Sequence, residues 1–291
     1  MARQALGDKA SDPVQIKRWK EAHGYHQPHF FNHREKGLKR LTGTIFFQKN
    51  LPMFWGNFGF SDMTLEPIGR EIRKRIGPSL CLTLPIFLAT LLTNIIIAML
   101  LAARRGTTFD RLAQLFCVLL MSVSALIYII AGQFFIAKTL RLVPVSGFLP
   151  GPGMLKFLIL PIAVGIACGL GSGIRFYRTL FLEEINRDYV RTARAKGLGE
   201  GAVLFLHVLK NAMIPILTNV PIQLLMLIMG NLLLENFFSI PGLGGFTINA
   251  IASQDFAIVR AMVFLGAVLY LLGTLLADLC YSIVDPRIRL Q

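Results

Sequence analysis

Five stretches of this chain are apolar and long enough to cross a membrane, and nothing else in the sequence constrains the fold as strongly. A bilayer core about 30 Å thick needs about 20 mostly apolar residues per helical span. Runs of that kind extend approximately from Ser79 to Ala103, Leu112 to Ala137, Phe157 to Ile174, Ala212 to Leu234 and Ala261 to Val284, the last interrupted only by Asp278. With 54% hydrophobic and 16% charged residues, the chain cannot cover a soluble globule with a polar exterior. The expected fold class is therefore all-α, a polytopic helical membrane protein.

The formal charge of +14 is a topological signal. Its basic residues are segregated between the spans and form no stripe with interleaved aromatics of the kind that holds single-stranded nucleic acid. Arg104, Arg105 and Arg111 lie between the first two runs, and Arg175, Arg178, Arg187, Arg191, Arg194, Lys196 and Lys210 between the third and fourth. By the positive-inside rule both loops are cytoplasmic. The other short loops carry fewer basic residues (Lys138, Arg141 and Lys156 in one) and are extracytoplasmic, while Arg287 and Arg289 fall inside. Residues 1–77 are then an extracytoplasmic or interfacial segment leading into a transmembrane unit, 78–291, with a cytoplasmic loop at 175–211. Nothing visible exports a basic segment like 1–77, so a further apolar helix is expected before Met1, completing six spans. A cytoplasmic N-terminal tail would instead require an even number of spans.

Residues Ser11 to Gly24 have the pattern of a short amphipathic helix, with Ser11 or Asp12 as N-cap and Pro13 in the first turn. Frequent aromatics between Phe30 and Phe60 suit a segment lying on the outer interface, and Glu66 to Arg75 is expected to be a helix entering the first span. In the 175–211 loop, Tyr177, Leu180, Phe181, Ile185, Tyr189 and Ala193 recur at helical spacing. Gly197 to Gly201 then interrupts the pattern before a second helix to Asn211. The loop is thus a helix–turn–helix projection into water.

The segment Asp188-Tyr189-Val190-Arg191-Thr192-Ala193-Arg194-Ala195-Lys196-Gly197-Leu198, followed by Asn211-Ala212-Met213-Ile214-Pro215, resembles the EAA loop of binding-protein-dependent ABC importer permeases. Arg191-Thr192-Ala193 stands where the general motif has Glu-Ala-Ala, and the RTARAKG form is similar to the dipeptide, oligopeptide and nickel subfamily. Leu142 to Gly147, Phe238 to Gly244 and Asp285 to Leu290 resemble that subfamily's other loop and tail motifs, and the early Leu6-Gly7 and Ser11 to Gly24 stretches its region after the first helix. That first helix is missing from the match, in keeping with the topology above.

The resemblance implies a type I importer permease fold in the bacterial cytoplasmic membrane, and residues 188–198 as the coupling helix and turn that dock on a cytoplasmic ATPase. Small Ala193, Ala195 and Gly197 would allow close approach, with Arg191, Arg194 and Lys196 at the rim. It further implies a second permease subunit, two ATP-binding subunits, an extracytoplasmic substrate-binding protein, and transport of di- or oligopeptides or related small solutes by alternating access. Nickel chelates belong to the same subfamily, and the sequence does not choose among these cargoes.

Several other chemistries are set aside on residue grounds. No Gly-x-x-x-x-Gly-Lys-Ser/Thr loop is present to cradle nucleotide phosphates, so the ATPase is a separate chain, and no cofactor is expected. Gly165, Gly169, Gly171 and Gly173 lie within a span and are expected to serve helix packing. The histidines His23, His26, His29 and His33 lack a carboxylate or cysteine set to complete a metal site, and Cys81, Cys117, Cys168 and Cys280 sit in spans without CxxC spacing. No nucleophile–base or HExxH set marks an enzyme. Polar residues inside spans are costly; Asn94, Gln133, Asn219, Gln223 and Asn231 are candidates either to line the path or to hydrogen-bond between helices, which the sequence does not sort, with Asp278 the lone intramembrane acid. An ion-coupled secondary transporter is the alternative, but it would call for several intramembrane charges and an inverted repeat.

Overall fold

A computed structural model describes residues 13–22, 25–28, 30–33, 37, 39–151 and 153–284, and these residues form helices joined by short turns, with a single isolated β-bridge between Phe60 and Pro67. Helix α1 spans Pro13–Ala22, as its proline and periodicity predict; the expected caps lie outside the described residues. Residues 39–60 form short helical turns (Lys39–Thr42, Phe46–Asn50, Leu51–Trp55) that lead into α2, Ile68–Ala103. This helix is continuous across the expected entry segment and the first apolar run.

The second run is not one straight span. Helix α3, Thr108–Ser122, and helix α4, Ala125–Ala131, prolonged by wide turns over Gly132–Thr139, meet at 90°. Val123 is extended (ψ 127°), and the Ser124 hydroxyl caps α4 by accepting the Leu126 N–H. A hydroxyl that can replace a backbone partner allows the bend inside an apolar environment. Among the described residues, four helices are long and apolar enough to cross, five when this bent pair is taken as one span.

Helix α5, Met154–Ile185, runs three turns past the third apolar run, because charge ends a membrane segment and not a helix. Helix α6, Asp188–Ala195, follows after a two-residue turn. The expected second loop helix ending near Asn211 does not end there. Helical residues Glu200–Ala202 and wide turns over Val203–Leu209 run directly into α7, Lys210–Met226, so Pro215 and Pro221 lie inside a helix. The fourth run then breaks at Gly230, whose backbone (φ 75°, ψ −175°) is open only to glycine. Asn231 caps the short α8, Leu232–Phe237, its side chain accepting the Leu234 N–H. Helices α9, Leu243–Ala252, and α10, Phe256–Val284, complete the described residues.

Helix α2 is the shared wall. At one end Ala98, Met99 and Ala102 pack with α5 (Tyr177, Phe181, Ile185), α6 (Val190, Ala193) and α7 (Ala212, Ile216). At the other, Ile68 and Ile72 meet α9 and the first turns of α10. The middle is close-packed through glycine. A Cβ on Gly165 would lie 2.5 Å from Ile86, one on Gly169 2.7 Å from Thr90, and one on Gly173 would overlap Asn94. Gly171 plays the same part against Cys117 and Met121 of α3. Lipid tails are as apolar as leucine, so it is close van der Waals packing through small residues that holds such helices together.

Candidate functional site

The arginine-rich end of the bundle carries the first candidate surface. Arg178 on α5 forks onto Asp110 in the first turn of α3 (2.9 and 2.7 Å), and Asp110 also accepts the Gly106 N–H (3.1 Å), which fixes where α3 leaves α5. Beyond that clamp, Val190 and Ala193 of α6 insert among Tyr177, Phe181, Ile185, Val203 and Val208. This core lies beyond the apolar runs, and each large side chain fully removed from water there contributes about 1.5–3 kcal/mol. The Tyr189 hydroxyl donates to Glu184, joining α6 to the end of α5. Burial first, then the Glu184 carboxylate, pushes this phenol up to about 12.

Helix α6 ends in a Schellman cap: the Gly197 N–H reaches Arg194 O (2.9 Å) and the Leu198 N–H reaches Ala193 O (3.4 Å). Gly197 has the left-handed φ of 82° that such a cap requires, and a Cβ there would meet no atom within 4 Å. Of the residues expected to face a partner, Asp188, Arg191, Thr192, Arg194, Ala195, Lys196, Gly197 and Leu198 are exposed and Tyr189 is half-buried. Val190 and Ala193 turn inward. Ala193 was expected at the outer surface; it is 4% exposed, because at 100° per residue it shares the face of Val190. Arg194 is held by a fork to Glu200 (2.8 and 3.1 Å) and Arg191 lies 3.5 Å from Asp188, leaving Lys196 at the exposed tip.

The second candidate site is a cavity of about 810 Å³ between α2, α5 and α7. It brings together Asn94, Asn219, Gln223 and Asn231 with Thr83, Thr90 and Ser172, and its lining contains no charged residue. Gln133 is elsewhere: its amide donates to Phe237 O (3.0 Å) and Val145 O (3.3 Å), tying α4 to α8. Asn231 has a structural duty as the α8 cap, and Asn219 donates to Pro215 O within its own helix (3.1 Å). Asn94 is 3% exposed; its amide approaches Gly169 O at 3.4 Å and its carbonyl oxygen has no partner. His23 and His29 lie outside the described residues, among which no group of three or more His, Cys, Asp or Glu is close enough to share a metal ion.

One residue that sequence reasoning passed over lies just behind the Gly230–Asn231 edge of this cavity. Glu235 is fully buried where α8 meets α9. Its carboxylate accepts the Ser79 hydroxyl (2.7 Å) and the N–H groups of Gly245 (3.0 Å) and Asn231 (3.3 Å), and Ser79 in turn accepts the Leu243 N–H (2.8 Å). Gly230, Gly242 and Gly244 press their backbones against it, with no room for a Cβ. An acid at the end of an apolar run reads as the start of a loop; four glycines within ten residues of it were the available clue.

The family described as binding-protein-dependent transport system inner membrane component matches residues 94–290. The chain is 35% identical over 260 residues to the probable peptide ABC transporter permease protein y4tP of Sinorhizobium fredii, covering 88% of this chain and 83% of that protein. It is 29% identical to the dipeptide transport system permease protein DppB of Alkalihalophilus pseudofirmus, covering 99% of this chain and 90% of that protein.

Proposed function

Because the chain belongs to the binding-protein-dependent transport system inner membrane component family, a family of multi-pass permeases and not of enzymes, we propose that it conducts di- or oligopeptides as one of two permease subunits. ATP-binding and substrate-binding partners follow from the family; the peptide cargo and the second permease are our reading. The relatives' names support peptides. The second subunit is supported by α7, the span that includes it being only 11% buried in its most apolar window against 28–33% for the other three straight spans. Asn219 and Gln223 are exposed on that helix, and an amide facing lipid is costly, so this face suits a partner subunit around a polar cavity.

In this reading residues 188–198 dock on the ATPase, through the exposed Arg191, Ala195, Lys196 and Gly197 and not through Ala193. Asn94, Asn219, Gln223 and Asn231 border the path. Residues 1–77 lie at the extracytoplasmic interface, where exposed Phe46, Phe54, Trp55 and Phe60 suit the aromatic belt. ATP binding draws the two coupling helices together and turns the cavity outward; hydrolysis resets it. The observation that carries the proposal is an uncharged polar cavity beside a rigidly capped, solvent-facing helix. Reconstitution with the neighbouring permease, ATPase and binding protein tests it: peptide-stimulated ATP hydrolysis with peptide uptake is expected. A complex that moves only a nickel chelate or another non-peptide solute would remove the peptide assignment.

A further inference from the structure

An arginine bordering an apolar run is costly unless it meets a counter-charge, water or a ligand. Two arginines one turn apart on α5 resolve that cost differently. Arg178 is paired with the buried Asp110. Arg175 has no acidic partner among the described residues; its guanidinium meets only the Met121 sulfur, at 3.8 Å. Arg175 directly follows the third apolar run, which ends at Ile174, and α5 continues beyond it. The side chain is exposed and borders a hollow of about 390 Å³ with Ser172, Phe176, Thr179 and Arg178, whose charge is already taken by Asp110. Ser172 and Phe176 also line the 810 Å³ cavity, so the two spaces share a wall and Arg175 stands at its shoulder. The main cavity offers amides and hydroxyls but no charge.

We infer that Arg175, with the Ser172 hydroxyl beside it, is a carboxylate subsite on the translocation path, taking the C-terminal carboxylate of a peptide. This rests on the peptide reading above. A guanidinium presents a planar fork that matches a carboxylate. The uncharged remainder of the cavity fits the same division of labour: one fixed charge recognises the terminus every peptide has, and neutral groups accept side chains that vary.

The test uses the complete complex in proteoliposomes, with the binding protein saturated by a peptide or by its C-terminal amide, chosen so that both forms load. Wild type is expected to transport the free acid about tenfold faster than the amide, the scale of one charge-assisted hydrogen bond. Arg175→Gln should bring the acid down to the amide rate and leave the amide unchanged, while Arg175→Lys keeps most of the preference. An unchanged acid-to-amide ratio in Arg175→Gln overturns the subsite alone. Equal loss for both peptides with dissociation of the permease pair makes Arg175 a subunit contact instead. Loss of a dependence on anionic phospholipid makes it a phosphate contact. A wild-type complex that takes up no peptide at all overturns the peptide reading and the subsite with it.

Discussion

Gly197 and Glu235 show opposite relations between a residue and its legibility. The turn glycine is readable from sequence, because a helix whose apolar period stops at Gly is expected to end in a left-handed cap. Its φ of 82° bears this out, and the empty space around it means that a substitution there pays only backbone strain, about 1 kcal/mol or more. Gly197→Ala and Gly197→Asp should therefore both insert normally in the membrane. Only Gly197→Asp should lose ATPase association by pull-down and substrate-stimulated hydrolysis; full uptake in that variant would move the coupling surface elsewhere. Glu235 is illegible, since its role depends on Ser79, 156 residues away. Glu235→Ala leaves the Ser79 hydroxyl and two N–H groups without an acceptor, at about 1–3 kcal/mol each. A lowered melting temperature and faster proteolysis between Gly230 and Gly245 are expected. An unchanged melting point would mean that water replaces the carboxylate.

Among the elements, α6 was legible as a helix from its spacing, but its direction of burial was not. One apolar stripe from Tyr177 to Ala193 read as a single surface, whereas a two-residue turn after Ile185 folds that stripe onto itself. The bends in the second and fourth runs were hidden for a different reason: Ser124 and Gly230 barely change hydropathy, yet they supply the cap and the backbone freedom that permit a break. What ties α6 down is the Tyr189–Glu184 bond. The folded phenol titrates near 12 and the free one near 10, so the neutral donor's contribution is complete below pH 10 and lost between pH 10 and 12. Coupling should thus be indifferent to this group from pH 6 to 9. Tyr189→Phe should speed amide hydrogen exchange across Asp188–Ala195 by about tenfold or more at pH 7, on the order of one hydrogen bond to a charged acceptor. No change in exchange would show that the Val190 and Ala193 packing suffices.

At the scale of the molecule, the sequence conveyed membrane class and approximate spans but not which helices travel together. Asn219 is exposed on the least buried span, which under the proposed function faces the second permease. A cysteine there should cross-link to the second permease and resist lipid-phase maleimide; ready labelling from the lipid would reverse that assignment. The glycines of α5 have the opposite meaning. With Ile86, Thr90 and Asn94 seated one per turn over Gly165, Gly169 and Gly173, α2 and α5 interlock like two racks and cannot slide without lifting apart. They form one packed unit, joined to α6 at its arginine-rich end, and under the proposed coupling a push on α6 would be passed along it as by a single lever. A Cβ on Gly169 would stand 3.9 Å from that of Thr90, a disulfide spacing. Once Cys81, Cys117, Cys168 and Cys280 are replaced, Thr90→Cys with Gly169→Cys should oxidise readily and still transport. Arrest on oxidation, relieved by reductant, would mean that the lever has a joint in its middle.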